Sequence, residues 1–367
     1  MFASLMCKTQ NIVLIDANST LAPKLKISGG GKCNVTNEKV SADNFFGDAK
    51  FVANILEKFS NIDLINFLKN IGVETKKVAR VVDGQFFCNS SKEIISAFEK
   101  MTKSCDFLMN TKVLDAEFKN DLFEITCDKN KIYAKKLLIA SGGLSYAQLN
   151  ATSIGFEIAK KFGHTVVLPT PALVGLTVQP NEFWFKNLSG VSLEASVLVG
   201  DKKFAGGLLF AHKGISGPVI LNASLWWSRG LIDIDFLPKV KNLDKFLETQ
   251  KAKIVSNAIN LPKNFMKVFL DAIGLEDKKV SEFSKDEIIK LHKLKNYTFA
   301  PAGTFGFTKA EVTKGGVDTS EIDHQTFESK NQKNLYFLGE VLNVTGELGG
   351  YNLQWAFSSA KVCADNF

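Results

Sequence analysis

The stretch Gly339-Glu340-Val341-Leu342-Asn343-Val344-Thr345-Gly346-Glu347-Leu348-Gly349-Gly350-Tyr351-Asn352-Leu353-Gln354 decides how this chain is read. Four apolar residues, 335–338, precede it and read as a buried strand. Residues 355–362 follow with helical character. Glycines therefore cluster where a strand hands over to a helix. Glycine lets the backbone approach a ligand without interference from a Cβ. A helix start adds free N–H groups and the positive end of its dipole, which favour an electron-rich group. The plainer reading of the same glycines is a tight loop that needs positive φ.

At the other end of the chain, residues 1–8 read as the end of a helix. Asn11-Ile12-Val13-Leu14-Ile15-Asp16 reads as a strand ending in an acid. In a dinucleotide-binding βαβ unit such an acid bonds a ribose hydroxyl, and a Gly-x-Gly-x-x-Gly loop precedes it by about 20 residues. Position 16 leaves no room for that loop. Either Asp16 is a plain strand-end acid, or the sequence begins inside the βαβ unit. Next comes Lys24-Leu25-Lys26-Ile27-Ser28-Gly29-Gly30-Gly31-Lys32-Cys33-Asn34-Val35-Thr36-Asn37. Its backbone N–H groups and Lys32 suit pyrophosphate or ribityl oxygens. A surface linker is the alternative.

Between these ends, residues 51–71 and 91–103 carry apolar residues at helical spacing. Residues 78–87 contain the hairpin signal Asp83-Gly84, and two further strands near 113–118 and 122–127 are joined by Asn120-Asp121. Residues 136–140 form a strand that ends in Ser141-Gly142-Gly143. Residues 152–162 read as a helix closed by Gly163. Leu168-Pro169-Thr170-Pro171 marks a composition shift. Beyond it, residues 191–199 alternate with period 2 and turn at Gly200-Asp201. Gly206-Gly207-Leu208-Leu209-Phe210-Ala211-His212-Lys213-Gly214-Ile215-Ser216-Gly217-Pro218 leads into a helix with proline in its first turn. Residues 231–236 form another strand. Residues 239–296 are helical, with 13 lysines against 8 acidic residues, and so carry +5 of the chain's net +7. Solvated helix faces explain that excess. An anionic partner such as nucleic acid is the functional alternative. From Tyr297 the chain returns to strand.

The 367 residues, 45% of them hydrophobic, are enough for two or three domains with a large core. No run of about 18 apolar residues predicts a membrane span. Six cysteines (Cys7, Cys33, Cys88, Cys105, Cys127 and Cys363) are scattered with no Cys-x-x-Cys. That pattern predicts a reducing, cytoplasmic setting and no metal site or disulfide framework. The expected division is 1–167, then a β-rich insert 168–238, a lysine-rich helical insert 239–296, and a return over 297–367.

The order of four motifs carries a resemblance: Ile-Ser-Gly-Gly-Gly-Lys-Cys-Asn-Val-Thr-Asn, Ala-Ser-Gly-Gly-Leu-Ser-Tyr, Leu-Phe-Ala-His-Lys-Gly-Ile-Ser-Gly-Pro, and Gly-Glu-Val-Leu-Asn followed by Gly-Gly-Tyr-Asn-Leu-Gln-Trp-Ala. Together they resemble the BaiN/RdsA-like NAD(P)/FAD-dependent oxidoreductases, also called aminoacetone-oxidase-like flavoproteins, over essentially the whole chain from about Ser4. The resemblance implies an α/β fold of the two-dinucleotide-binding-domain flavoprotein type. A Rossmann-like FAD domain would be built from both ends of the chain, with β-rich and helical inserts. Three positions depart from the family pattern: the glycine-rich loop before Asp16, Ala22-Pro23 in place of Gly-Arg, and Asn343 in place of Asp.

Carried over by position, the resemblance implies that Asp16 holds the adenosine ribose. Lys24, Ser28, Gly29, Gly30 and Asn34 would line the flavin and its diphosphate. Val113 would offer its backbone to the adenine, and Ala140, Gly142 and Gly143 would close the FAD pocket. Gly339, Glu340 and Asn343 would meet the diphosphate and ribityl chain. Gly349, Gly350, Tyr351, Asn352 and Leu353 would face the isoalloxazine. The implied activity is hydride transfer from NAD(P)H through FAD to an unsaturated substrate. Relatives are associated with a uridine in ribosomal RNA and with conjugated steroid double bonds. Cys33 and His212 are the proton-donor candidates. Cys33 is otherwise a packed small residue, and His212 a loop-fixing hydrogen-bonder. A flavin reductase or oxidase acting on a small molecule, a steroid-like enone or an amine, and a truncated flavin-free binding protein are the alternatives.

Overall fold

The computed structural model describes residues 1–6, 10–78 and 82–367. Cys7 and Lys8, at the end of the expected first helix, and residues 79–81 of the expected hairpin strand lie outside the described residues. The chain divides into two units: residues 1–171 with 311–367, and residues 172–310.

In the first unit, strand Val13–Ile15 runs parallel to Asp106–Leu108. Strand Leu137–Ile139 runs parallel to Leu335–Phe337, with Leu137 opposite Leu335 and Ile139 opposite Phe337. The second pair joins distant parts of the sequence, and its apolar runs fit strands covered on both faces. The meander of Val113–Lys119, Leu122–Cys127 and Lys131–Ala134 is antiparallel. Its first turn is Asn120-Asp121, with φ of 50° and 59°. Those values define the type I′ geometry that matches strand twist. Strands Asn34–Asn37, Gln85–Cys88 and Thr75–Lys77 form an antiparallel three-stranded sheet, with a bulge between Asn34 and Thr36.

The helical stretch expected over 51–71 is two helices, Ala49–Lys58 and Asn61–Asn70. Ser60 separates them because its side chain accepts from Asp63 N, while the Asp63 carboxylate accepts from Ser60 N, a capping box. The C-terminal helix is Tyr351–Asp365, which starts four residues before Trp355. Trp355 is buried and lies against the rings of Phe45, Phe51 and Phe327 at 6.2–6.4 Å. Its indole N–H donates to the Gly339 carbonyl at 3.0 Å. The helix and the glycine-rich stretch before it are thus fixed to one core.

In the second unit, a seven-stranded sheet includes the long hairpin Ser192–Val199 and Lys202–Ala211. Helix Pro218–Trp226 has proline at its start. Helices Leu243–Glu248, Lys263–Ala272 and Lys285–Leu291 place Leu243, Phe265, Phe269 and Leu291 in the same buried cluster as Leu193, Phe210 and Ile234 of the sheet. Sheet and lysine-rich helices therefore share one apolar core. Among the described residues, no helix is long and apolar enough to cross a membrane.

Candidate functional site

The glycine-rich stretch of the C-terminus closes onto the one near the N-terminus. Asn34, with its amide oriented as its neighbours require, accepts from Gly350 N at 3.0 Å and from Gln85 Nε2 at 2.6 Å. Thr36 Oγ1 donates to Gln354 Oε1 at 2.6 Å, and both residues are fully buried. Asn37 Nδ2 donates to the Gly349 carbonyl at 3.2 Å. Gly350 must be glycine for steric reasons. Its φ is +103°, and an added Cβ would lie 2.5 Å from the Thr36 carbonyl oxygen and 2.8 Å from the Asn34 side-chain amide. The Gly350 N–H is occupied by Asn34, so the positive end of the helix first organises the protein itself. Asn352 holds the turn by accepting from Gly346 N and donating to Gly346 O, both at 2.8 Å. Tyr351 is buried, and burial pushes its hydroxyl up to about 12. Leu353 is partly buried against the same core.

Ser28, Gly29, Gly30 and Gly31 form a tight turn with positive φ at all three glycines. Gly29 lies against Asn34 N and the Phe87 ring. Gly30 and Gly31 have open space where a Cβ would stand. Ser28 donates to the Leu25 carbonyl at 2.8 Å.

A polar knot lies beside this turn. Lys24 Nζ contacts Glu340 Oε2 at 2.7 Å, and Glu340 Oε1 accepts from Thr313 N at 2.9 Å. Thr313 Oγ1 accepts from Leu144 N at 2.8 Å and Ser145 N at 3.1 Å. Gly142 and Gly143 are part of the same loop, and a Cβ on Gly142 would be 3.6 Å from Glu340 Oε2. Lys24 also stands 5.4 Å over the Tyr146 ring. Burial raises the Tyr146 hydroxyl pKa, reinforced by the Glu311 and Glu340 charges. Gly339 donates its N–H to Ser359 Oγ at 3.2 Å. Asn343 N donates to the Val317 carbonyl, while its Oδ1 is buried and has no hydrogen-bond partner among the described residues.

Asp16 follows the strand Val13–Ile15. Its Oδ1 accepts from Asn18 N at 2.8 Å and Asn18 Nδ2 at 2.9 Å. Ala140 is exposed just beyond Leu137–Ile139, and Val113 opens the meander. Cys33 is fully buried, at φ +54°, and its thiol meets Cys88 and Ser28. His212 belongs to the second unit, exposed in the turn after Lys202–Ala211. All the other predicted site residues belong to the first unit.

Residues that sequence reasoning did not select also build this region: Thr36, Gln85, Thr313, Tyr146 and Gln354. Gln354 stood at the edge of the quoted stretch, and Thr36 within the first glycine motif. Thr313 had no local signal, because its role comes from a register set by distant strands.

The fold and this glycine-lined junction define a Rossmann-fold oxidoreductase of the flavoprotein type. Residues 1–366 match the HI0933-like protein Rossmann domain, and the chain belongs to that family. It is 34% identical to the ribosomal RNA dihydrouridine synthase of Haemophilus influenzae, over 99% of this chain and 95% of that protein. It is 32% identical to the protein of the same name from Escherichia coli, over 97% and 92%. A 3-dehydro-bile acid delta(4,6)-reductase of Clostridium scindens is 27% identical, over 95% and 90%. Among solved structures, quinol-fumarate reductase with menaquinol molecules aligns with all of this chain and 67% of its own, at a TM-score of 0.51 and 13% identity. That likeness concerns the fold.

Proposed function

We propose that this chain is an FAD-dependent reductase of an unsaturated base, the uridine of ribosomal RNA, with NAD(P)H as electron donor. The observation that carries the reading is the identity of 34% and 32% to two ribosomal RNA dihydrouridine synthases over nearly the whole chain. The site fits the cofactor. Asn343 offers a buried acceptor that lacks a donor, which a ribityl hydroxyl would supply. Gly30 and Gly31 leave open space where a diphosphate would sit. The pairing of Lys24 with Glu340 sets a cation beside that space without burying an unpaired charge. When bound, the flavin supplies two-electron hydride chemistry. The chain's own residues would position it: Asn34, Thr36 and Asn37 hold the C-terminal helix start in register, and Gly142 and Gly349 would let the backbone come close to it. Lysines of 239–296 would add phosphate contacts for an RNA substrate.

The test is to express the chain in a bacterial strain lacking its own dihydrouridine synthase for ribosomal RNA. Dihydrouridine in purified rRNA is then measured by mass spectrometry. Return of the modified base is the expected result. An unmodified rRNA, with reduction of a conjugated steroid enone by the same purified protein, would move the assignment to a small-molecule substrate.

A further inference from the structure

Cys33 ends the glycine turn, and Cys88 ends the strand Gln85–Cys88 that lies against Asn34–Asn37. Asn34 is opposite Phe87, and Cys88 N donates to the Cys33 carbonyl at 3.2 Å. The two cysteines are therefore direct cross-strand neighbours. Facing residues on antiparallel strands have Cα atoms about 4.5–5.5 Å apart. That spacing lies inside the window of about 4.4–6.8 Å that a disulfide requires. Both residues are almost wholly buried, and each thiol acts on the ionisation of the other. The neighbouring Cys88 thiol favours the thiolate at Cys33 and outweighs the opposing effect of burial. Cys33 also stands at φ +54°, a left-handed conformation that strains a residue with a Cβ and that glycine would adopt freely. A side chain kept at that cost, with its thiol on a second thiol, is more than space-filling.

We propose that Cys33 and Cys88 are a redox-active dithiol that closes to an intramolecular disulfide inside the glycine cradle, with hydrogen peroxide as oxidant. The Cys33 thiolate attacks one peroxide oxygen and the O–O bond breaks. A sulfenic acid forms on Cys33, and the hydroxide released takes a proton to become water. Cys88 then gives up its thiol proton and attacks the Cys33 sulfur. The S–S bond forms as the S–O bond breaks, and a second water leaves. Each sulfur loses one electron, and the peroxide is reduced to two waters. A small oxidant is required because the buried pair admits nothing larger without local opening. The covalent tie draws Cys33 toward Gln85–Cys88 and pulls on Asn34, the next residue in the chain. Through Asn34 it reaches Gly350. Cofactor affinity should fall by about tenfold, the equivalent of one misplaced hydrogen bond. This last effect rests on the flavin reading; the cross-link itself does not.

The purified full chain is treated with hydrogen peroxide, alkylated, digested and mapped by mass spectrometry. The expected product is one peptide pair joined through Cys33 and Cys88, released by dithiothreitol. In Cys88→Ser the expected product is a Cys33 sulfenic acid that dimedone traps. Recovery of both cysteines as separate alkylated or over-oxidised residues in the wild-type chain overturns the inference. FAD is then titrated into reduced and cross-linked protein, followed by quenching of flavin fluorescence. A cross-link with unchanged affinity overturns the coupling to the cradle. A cross-link with no flavin binding in either form overturns the flavin reading and leaves the dithiol standing.

Discussion

Replacing Gly350 by alanine should destabilise the first unit far more than the same change at Gly30, although both glycines have positive φ. At Gly350 the added Cβ would sit 2.5 Å from the Thr36 carbonyl oxygen and 2.6 Å from its carbon. Both are backbone atoms of a paired strand, so neither can swing aside. Forcing them apart costs about 1–3 kcal/mol as overpacking. The φ of +103° adds about 1–3 kcal/mol of backbone strain. Together these give roughly 4 kcal/mol, and a domain of this size loses about 2–4 °C per kcal/mol. A drop of roughly 8–16 °C in the transition of the first unit follows. At Gly30 nothing lies within 4 Å of the added Cβ, so only φ strain of about 1–2 kcal/mol remains. Differential scanning calorimetry resolves the two variants, and fluorescence quenching measures FAD binding by each. Gly30→Ala should keep the fold and weaken FAD by about tenfold or more, because its methyl group fills the open cradle. Equal melting shifts for the two variants, or a Gly30→Ala protein that binds FAD as the wild type does, would refute the steric reasoning.

Three further outcomes follow from the same geometry. Asn343→Leu removes a buried acceptor that has no partner among the described residues, so the cofactor-free protein should melt at the same or a higher temperature while FAD affinity falls; a loss of stability without FAD, read by thermal denaturation, would show that Asn343 Oδ1 serves the fold itself. His164 is buried, with Nδ1 3.1 Å from Glu321, Nε2 2.6 Å from Ser329 Oγ and the Phe337 ring against it. Burial holds its pKa below the ordinary value of about 6.5, so the unfolded chain binds a proton that the folded chain refuses. Its contribution is therefore complete above about pH 6.5 and lost as pH falls below that, and urea denaturation of His164→Gln should show a flatter pH slope in this range. Ala22 has φ 51° and ψ 48° before Pro23. Ala22→Gly should raise stability by about 0.5 kcal/mol, the relief of roughly 1–2 kcal/mol of strain less the extra entropy of the unfolded chain, as read from urea midpoints at constant m.

Much of the fold was legible because local signals agreed with it. Asn120-Asp121 fixed a hairpin, Pro218 opened a helix, and the alternation of 191–199 made a strand with one buried face. Other features depended on contacts that no local pattern encodes. The lysine-rich helices share a core with the sheet because Phe265 and Phe269, one helical turn apart, point to the same side. Lys24 and Glu340 were selected separately as cofactor residues, and the fold places them 2.7 Å from each other. Gly350 was read as room for a ligand, whereas the atoms nearest to it are the Thr36 backbone and Asn34. A glycine in a sequence tells that something comes close, but not what. The facing of Cys33 and Cys88 depends on the register next to the bulge between Asn34 and Thr36, which the sequence does not mark. The knot of His164, Glu321 and Ser329 joins residues more than 150 positions apart, each with an ordinary polar neighbourhood.

The most direct measurement is a difference absorption titration of the purified chain with FAD, beside Asn34→Ala. Saturable binding with a resolved shift of the flavin bands is expected for the wild type. In the variant, which leaves the Gly350 N–H without its acceptor, binding should weaken by about tenfold. A folded wild-type protein that leaves the flavin spectrum unchanged would contradict the proposal that the two glycine-rich stretches close around a flavin.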